Sequence, residues 1–203
     1  MITKIHHHQN LTFGYIYKAG MSLTDAQTKL AQIWPDCRWH HANQKHTNNI
    51  FHIGSVVPDH ADALVTSERN QGLIVYTADC LPIMLANQQT IALIHAGWLG
   101  LAQDIVRKSS EKLHHDIATA WIGPHHRSYN RSIHDHTVPD HIRSCAEQDG
   151  EHLMLNLKKM AMNQLTNEPQ IYDDAECTIS DPNLPSYRRG NRGDRLFSFA
   201  FRT

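Results

Sequence analysis

The sequence predicts a layered α/β/α protein built on a mixed β-sheet. Apolar, strand-like runs follow one another directly, as in "GLIVYTADC", "LPIMLA" and "TIALIHAG". Amphipathic helical stretches fall between such groups and not after every strand, so strict βαβ alternation is absent. The 203 residues, 40% hydrophobic and 19% charged, suit one sizeable core, and the chain reads as a single domain over 1–203.

The elements follow in order. "LTFGYIYKAG" reads as a strand ending at Gly20. In "SLTDAQTKLAQIW", Leu23, Ala26, Leu30 and Ile33 form one helical stripe, with Ser22 or Thr24 as N-cap and Pro35 as the stop. "CRWHH", "NIFHIG" and "ADALVT" are short strands, and "SERNQ" is a polar turn before the three apolar runs. "LGLAQDIVRKSSEKLHH" reads as a helix with Leu101, Ile105 and Leu113 at core spacing. "IATAWIGP" is a strand, "EHLMLNLKKMAMNQLT" an amphipathic helix, and "PQIYDD", "AECTIS" and "RLFSFAF" are closing strands.

The formal charge of -1 implies no broad basic surface, which argues against nucleic acid or an anionic membrane as a partner. No apolar run approaches the ~20 residues of a membrane helix. The N-terminal stretch lacks the apolar segment of a signal peptide. Cys37, Cys80, Cys145 and Cys177 lie far apart with no CxxC, which points to reduced thiols in a cytoplasmic protein and to no disulfide. Histidine is over-represented, at 17 residues. The pairs His114–His115 and His125–His126 and the loop "SIHDHTVPDH" read as surface histidines.

"TADCLPIML" places an acid and a thiol, Asp79 and Cys80, at the end of a buried strand. If "TADCLPIMLANQQTIALIHAGW" is a hairpin turning between Asn87 and Gln88, Cys80 lies opposite His95, with Cβ atoms roughly 5 Å apart. Both then share the face of Met84, Ile91 and Leu93. Three chemistries fit: a packed thiol beside a core histidine, a Cys–His nucleophilic pair, and a zinc site of nitrogen and sulfur ligands. For the last, His46 in "ANQKHTNN" is a third ligand candidate. In "HAGW", the small pair Ala96–Gly97 either makes a plain strand-to-helix turn or lets backbone and ligand approach closely. "SYRRGNRGDR" packs four arginines into residues 186–195, as a solvated loop or as a clamp for phosphate or carboxylate.

The stretch "ADALVTSERNQGLIVYTADCLPIMLANQQTIALIHAGWLGLAQDIV" resembles the core of the YfiH family, also called the multicopper polyphenol oxidase or laccase-domain family. "QKH" (44–46), "ADCLP" (78–82), "HAGWLG" (95–100) and "SYRR" (186–189) match its motifs in order, and "IGP" (122–124) and "ECT" (176–178) also fit. The resemblance implies an α/β/α fold with one metal site, zinc or else copper, held by His46, Cys80 and His95. It also implies an enzyme of purine nucleosides, acting by phosphorolysis of adenosine, inosine, guanosine and methylthioadenosine or by deamination of adenosine. The implied partners are small molecules, a purine nucleoside and phosphate. Asp79 and Cys80 become candidate catalytic groups, and Arg188, Arg189 and Arg195 candidates for phosphate or ribose contacts. Copper-dependent polyphenol oxidation, peptidoglycan-precursor editing and a non-enzymatic zinc-binding role are the alternatives. Three departures bear on this. Leu99 stands where the family's His-Ala-Gly-Trp-Arg-Gly motif has arginine, which predicts weaker phosphorolysis than deamination. Tyr17 and Lys18 stand where relatives carry an arginine after the first strand, and the segment after Met21 is short.

Overall fold

The computed structural model describes residues 1–144, 146–174 and 176–203. Its first half runs β1 (Ile2–His8), β2 (Leu11–Tyr17), α1 (Leu23–Ile33), β3 (Arg38–His40), β4 (Ile50–His52), β5 (Ala63–Thr66), β6 (Gln71–Thr77), β7 (Leu81–Ala86) and β8 (Ile91–Ala96). There follow α2 (Trp98–Ala102), α3 (Ile105–Glu111), β9 (Thr119–Ile122), β10 (Tyr129–Ser132), α4 (Asp140–Arg143) and β11 (Glu147–Asp149). The chain closes with β12 (His152–Leu155), α5 (Leu157–Met162), β13 (Gln170–Asp173) and β14 (Leu196–Arg202).

Side-chain alternation along the strands builds the layers. One sheet has the order β1-β2-β14-β6-β3, the other β13-β9-β7-β8-β5-β4. Both are mixed: β3 with β6, β4 with β5 and β13 with β9 are parallel, among antiparallel neighbours. Met84, Leu93 and Leu64 of the second sheet meet Phe13, Leu73, Val75 and Leu196 of the first. The opposite face of β7 and β8, with Ile83, Leu85, Ala92 and Ile94, packs on Leu101, Ile105, Val106, Leu157 and Ala161 from α2, α3 and α5. On the far side, Ala26 and Leu30 of α1 cover Ile16, Ile74, Phe197 and Phe199. Helices thus flank a β-layer as the sequence predicts, and that layer consists of two sheets. Burial on both faces is why strands such as β7 and β8 read as continuous apolar runs.

Local rules fix the first helix. Ser22 accepts from the Asp25 N–H at 3.1 Å while the Asp25 carboxylate accepts from the Ser22 N–H at 3.0 Å, a capping box.

Several expectations are corrected. The helix expected from Leu99 onward is two pieces, because Asp104 adopts a left-handed φ of 61° between α2 and α3. The helix expected over residues 151–166 is β12 followed by α5, which Asn156 caps by accepting from the Lys159 N–H at 2.9 Å. "AECTIS" forms no strand among the described residues; Cys177 makes one isolated bridge to His125. The strand β1, paired along its length with β2, carries no apolar pattern, because its "ITKIHHH" is polar and half-exposed. A small third sheet has the order β10-β12-β11. His125 and His126 are buried at 1% and 8% exposure, not on the surface.

Cys37, Cys80 and Cys177 carry free thiols, and Cys145 lies outside the described residues. No helix among the described residues is long and apolar enough to cross a membrane.

Candidate metal centre

The β7–β8 hairpin sets the register of the site. His95 pairs with Pro82, two residues from the expected Cys80, and Ala86 pairs with Ile91. The connection is a four-residue loop, 87–90, in which the Asn87 side chain accepts from the N–H groups of Gln89 at 2.9 Å and Thr90 at 2.7 Å. A two-residue shift preserves side-chain parity, so His95 keeps the face predicted for it. Cys80 sits in the turn entering β7, after Asp79 at φ 86°.

Cys80 still meets His95. The ligand atoms of His46, Cys80 and His95 lie within 4.8 Å of one another, with Cys80 Sγ 3.7 Å from His46 Nε2. Zinc bonds of about 2.3 Å to sulfur and 2.0–2.1 Å to nitrogen would set those two atoms about 3.6 Å apart in a tetrahedral site. His95 is buried and His46 exposed, so the cluster opens on one side. Two imidazoles and a thiolate suit zinc and also copper.

A residue not singled out from the sequence assembles this cluster. Asp62 is fully buried and accepts five hydrogen bonds. One comes from His95 Nδ1 at 2.7 Å. The others come from the N–H groups of Lys45, His46 and Thr47 at 3.2, 2.9 and 2.7 Å and from Thr47 Oγ1 at 2.8 Å. The first bond directs the proton of His95 to Nδ1 and leaves Nε2 for the cluster. The rest gather the segment whose His46 stands at a left-handed φ of 59°. One carboxylate therefore sets two candidate ligands. Gln44 adds to this by bonding Tyr76 in both directions, accepting from its N–H at 2.9 Å and donating to its carbonyl at 2.8 Å.

The electrostatics couple the same groups. Burial alone would raise the Asp62 carboxyl, but His95 and the Thr47 donors hold it well below the usual carboxylate range. Burial also disfavours a charged Cys80, yet His95 and His46 bring its thiol below the ordinary value. Against the same burial, Cys80 and Asp62 raise His95. Cys80 is therefore poised as a thiolate, the form that ligates metal or attacks an electrophile.

Gly97 leaves the space. A Cβ there would stand 2.8 Å from His46 Cδ2 and 3.1 Å from Cys80 Sγ, so "HAGW" makes a close approach as well as a turn.

The cluster forms the floor of a cleft of about 400 Å³, a size suited to a small organic ligand. Tyr76, Tyr129 and Tyr187 supply aromatic wall, and Arg188 and Arg195 supply charge. The Arg188 guanidinium lies 3.9 Å from the Tyr129 ring centre and donates to the Asn130 side chain and carbonyl. Arg195 donates to the carbonyls of Arg192 and Asp194. Arg189 does not line the cleft; it donates to the carbonyls of Thr178, Ile179, Asp181 and Leu184 and holds that loop together. Asp79 is buried, accepting from Thr178 Oγ1 at 2.7 Å and from the Arg188 N–H at 2.9 Å. Leu99 is 37% exposed on the five-residue α2 and is not part of the cleft wall.

Two face-packed mixed sheets between helices, with a His–Cys–His cluster under a small cleft, define a scaffold able to hold one metal ion beside a small ligand. The chain belongs to the family described as multi-copper polyphenol oxidoreductase laccase, whose model matches residues 22–202. It is 30% identical over 162 residues to a protein of Aquifex aeolicus named purine nucleoside phosphorylase, covering 76% of this chain and 78% of that one. It is 33% identical over 166 residues to one of the same name from Xylella fastidiosa (strain Temecula1), covering 73% of this chain and 64% of that protein's length. In fold it is similar to the crystal structure of Bacillus licheniformis YfiH, with a TM-score of 0.79 at 22% identity over 95% of this chain and 93% of that one. Geobacillus stearothermophilus YlmD matches at 0.78 and 24% identity, over 96% and 92%.

Proposed function

We propose that this protein is a zinc-dependent enzyme of purine nucleosides, acting by phosphorolysis, by deamination of adenosine, or by both. The observation that carries the reading is the convergence of His46, Cys80 and His95 beneath a cleft walled by tyrosines and two arginines. The names of the relatives supply the substrate class. Among the described residues one group of three potential ligands converges, which suits a single ion and not a multicopper cluster. His134 and His136, an HxH pair in the loop after β10, are exposed.

In this reading His46, Cys80 and His95 hold the ion, with Asp62 orienting His95. The ion supplies Lewis acidity towards a water or a substrate oxygen. The purine stacks against the tyrosine wall, and Arg188 and Arg195 meet phosphate or the ribose hydroxyls. Asp79, with both carboxylate oxygens engaged, is a positioning residue that fixes the Cys80 turn against the arginine segment.

Incubating zinc-loaded protein with adenosine, with and without phosphate, tests the proposal. Adenine with ribose 1-phosphate, formed only with phosphate, reports phosphorolysis, and inosine reports deamination. Unchanged adenosine in both mixtures would overturn the reading in favour of a non-enzymatic metal-binding role.

A further inference from the structure

A second cleft, of about 490 Å³, adjoins the first along β10, an edge strand of its small sheet. Arg188 belongs to both clefts. The remaining walls include Arg131, Ser132, His134, Asp135 and His152. Both guanidiniums lie over aromatic rings: Arg188 at 3.9 Å from the Tyr129 centre and Arg131 at 4.9 Å from the Trp98 centre. Stacking fixes the plane of each guanidinium. Arg131 is held further by Asp135, and Arg188 by Asn130. Two guanidiniums face one carboxylate here, beside the imidazoles of His134 and His152. A neutral nucleoside in the metal cleft has no use for such a wall. Two guanidiniums, two imidazoles and a hydroxyl along one cleft suit a tetrahedral group with several oxygens better than a planar carboxylate, which one arginine fork satisfies.

Building on the nucleoside reading of the metal cleft, we infer that the second cleft binds a phosphate monoester carried by the nucleoside, so that the preferred ligands are phosphorylated nucleosides. Arg188 bridges the two parts of the ligand, and Arg131, His134 and His152 grip the phosphate.

Calorimetric titration of the zinc-loaded protein with adenosine, adenosine 5′-monophosphate and inorganic phosphate tests this. The monophosphate is expected to bind about tenfold or more tighter than adenosine, as one charge-assisted contact allows. Arg131→Ala should remove that advantage and leave adenosine affinity unchanged. His134→Ala/His152→Ala, on exposed or surface side chains away from Trp98, should reduce it independently of any effect of Arg131→Ala on folding. Equal affinities overturn the inference, as does an advantage that survives both variants. Arg131-dependent binding of inorganic phosphate with no gain for the monophosphate also overturns it, by making the cleft a free-phosphate site. If the monophosphate binds through Arg131 while adenosine does not bind at all, the phosphate cleft stands and the nucleoside reading of the metal cleft falls.

Discussion

Asp62 and His95 are joined twice: the His95 ring donates from Nδ1 to the Asp62 carboxylate at 2.7 Å, and the His95 N–H donates to the Asp62 carbonyl at 2.7 Å. Because the same carboxylate collects the N–H groups of residues 45–47, ring orientation and the placement of His46 are one structural event. Asp62→Asn turns part of an acceptor towards donors and is expected to weaken zinc binding by about 10–100-fold, the usual effect of losing such a partner. Competition against a chromophoric chelator measures it. Unchanged affinity would show that the ligands are set without Asp62.

Gly97→Ala is expected to abolish tight metal binding while the metal-free protein keeps its fold. The added Cβ meets His46 and Cys80 at 2.8 and 3.1 Å, and His46 is on an exposed segment that yields before the buried strand does. Metal content together with circular dichroism separates the two effects. Full metal content in the variant would place the ion away from Gly97.

Arg188→Ala is expected to lower kcat/KM for phosphorolysis by about tenfold to a hundredfold, the worth of a charge-assisted bond in the transition state. Leu99→Arg is expected to change it much less, since position 99 lies outside the cleft wall. Steady-state assays of both variants at fixed phosphate check this. A large selective gain in Leu99→Arg would mean that a long side chain there reaches the phosphate.

Cys37 gives a test of pH dependence away from the candidate metal centre. Burial pushes its thiol up to about 12, with a smaller opposing effect from a hydrogen bond with the Gly72 backbone. An unfolded thiol ionises near about 8.5. The folded value is the higher one, so the contribution to stability is complete below about pH 8.5 and is lost as pH rises towards 12. Cys37→Ala should lose less stability than the wild type between pH 9 and pH 11 in urea melts, a window taken as roughly that between the two values. Parallel curves for the two proteins would contradict the assignment.

The sequence made the chemistry of the site more legible than its construction. The parity of β7 and β8 put His95 on the correct face, because a strand's period of two survives a slip of two residues. The register itself depended on Asn87, whose side chain closes a four-residue loop that no strand pattern announces. His46 and Cys80 stood out through their motifs. Asp62 did not, because a single acid before "ALVT" looks like a strand-end residue, and its five donors come from segments that only the fold brings together. Of the arginines in 186–195, spacing could not separate Arg188 and Arg195, which line the cleft, from Arg189, which ties up backbone carbonyls. The run from Leu99 kept helical spacing across Asp104, so its break was invisible to periodicity.

The most direct test of the account is the metal content of the purified protein, measured by inductively coupled plasma mass spectrometry on the wild type and on Cys80→Ser and His95→Ala. One zinc ion per chain is expected in the wild type, with about tenfold or greater loss of affinity in each variant. A folded wild type that takes up no stoichiometric zinc or copper, or variants that retain the ion undiminished, would contradict the assignment of His46, Cys80 and His95 as a metal centre.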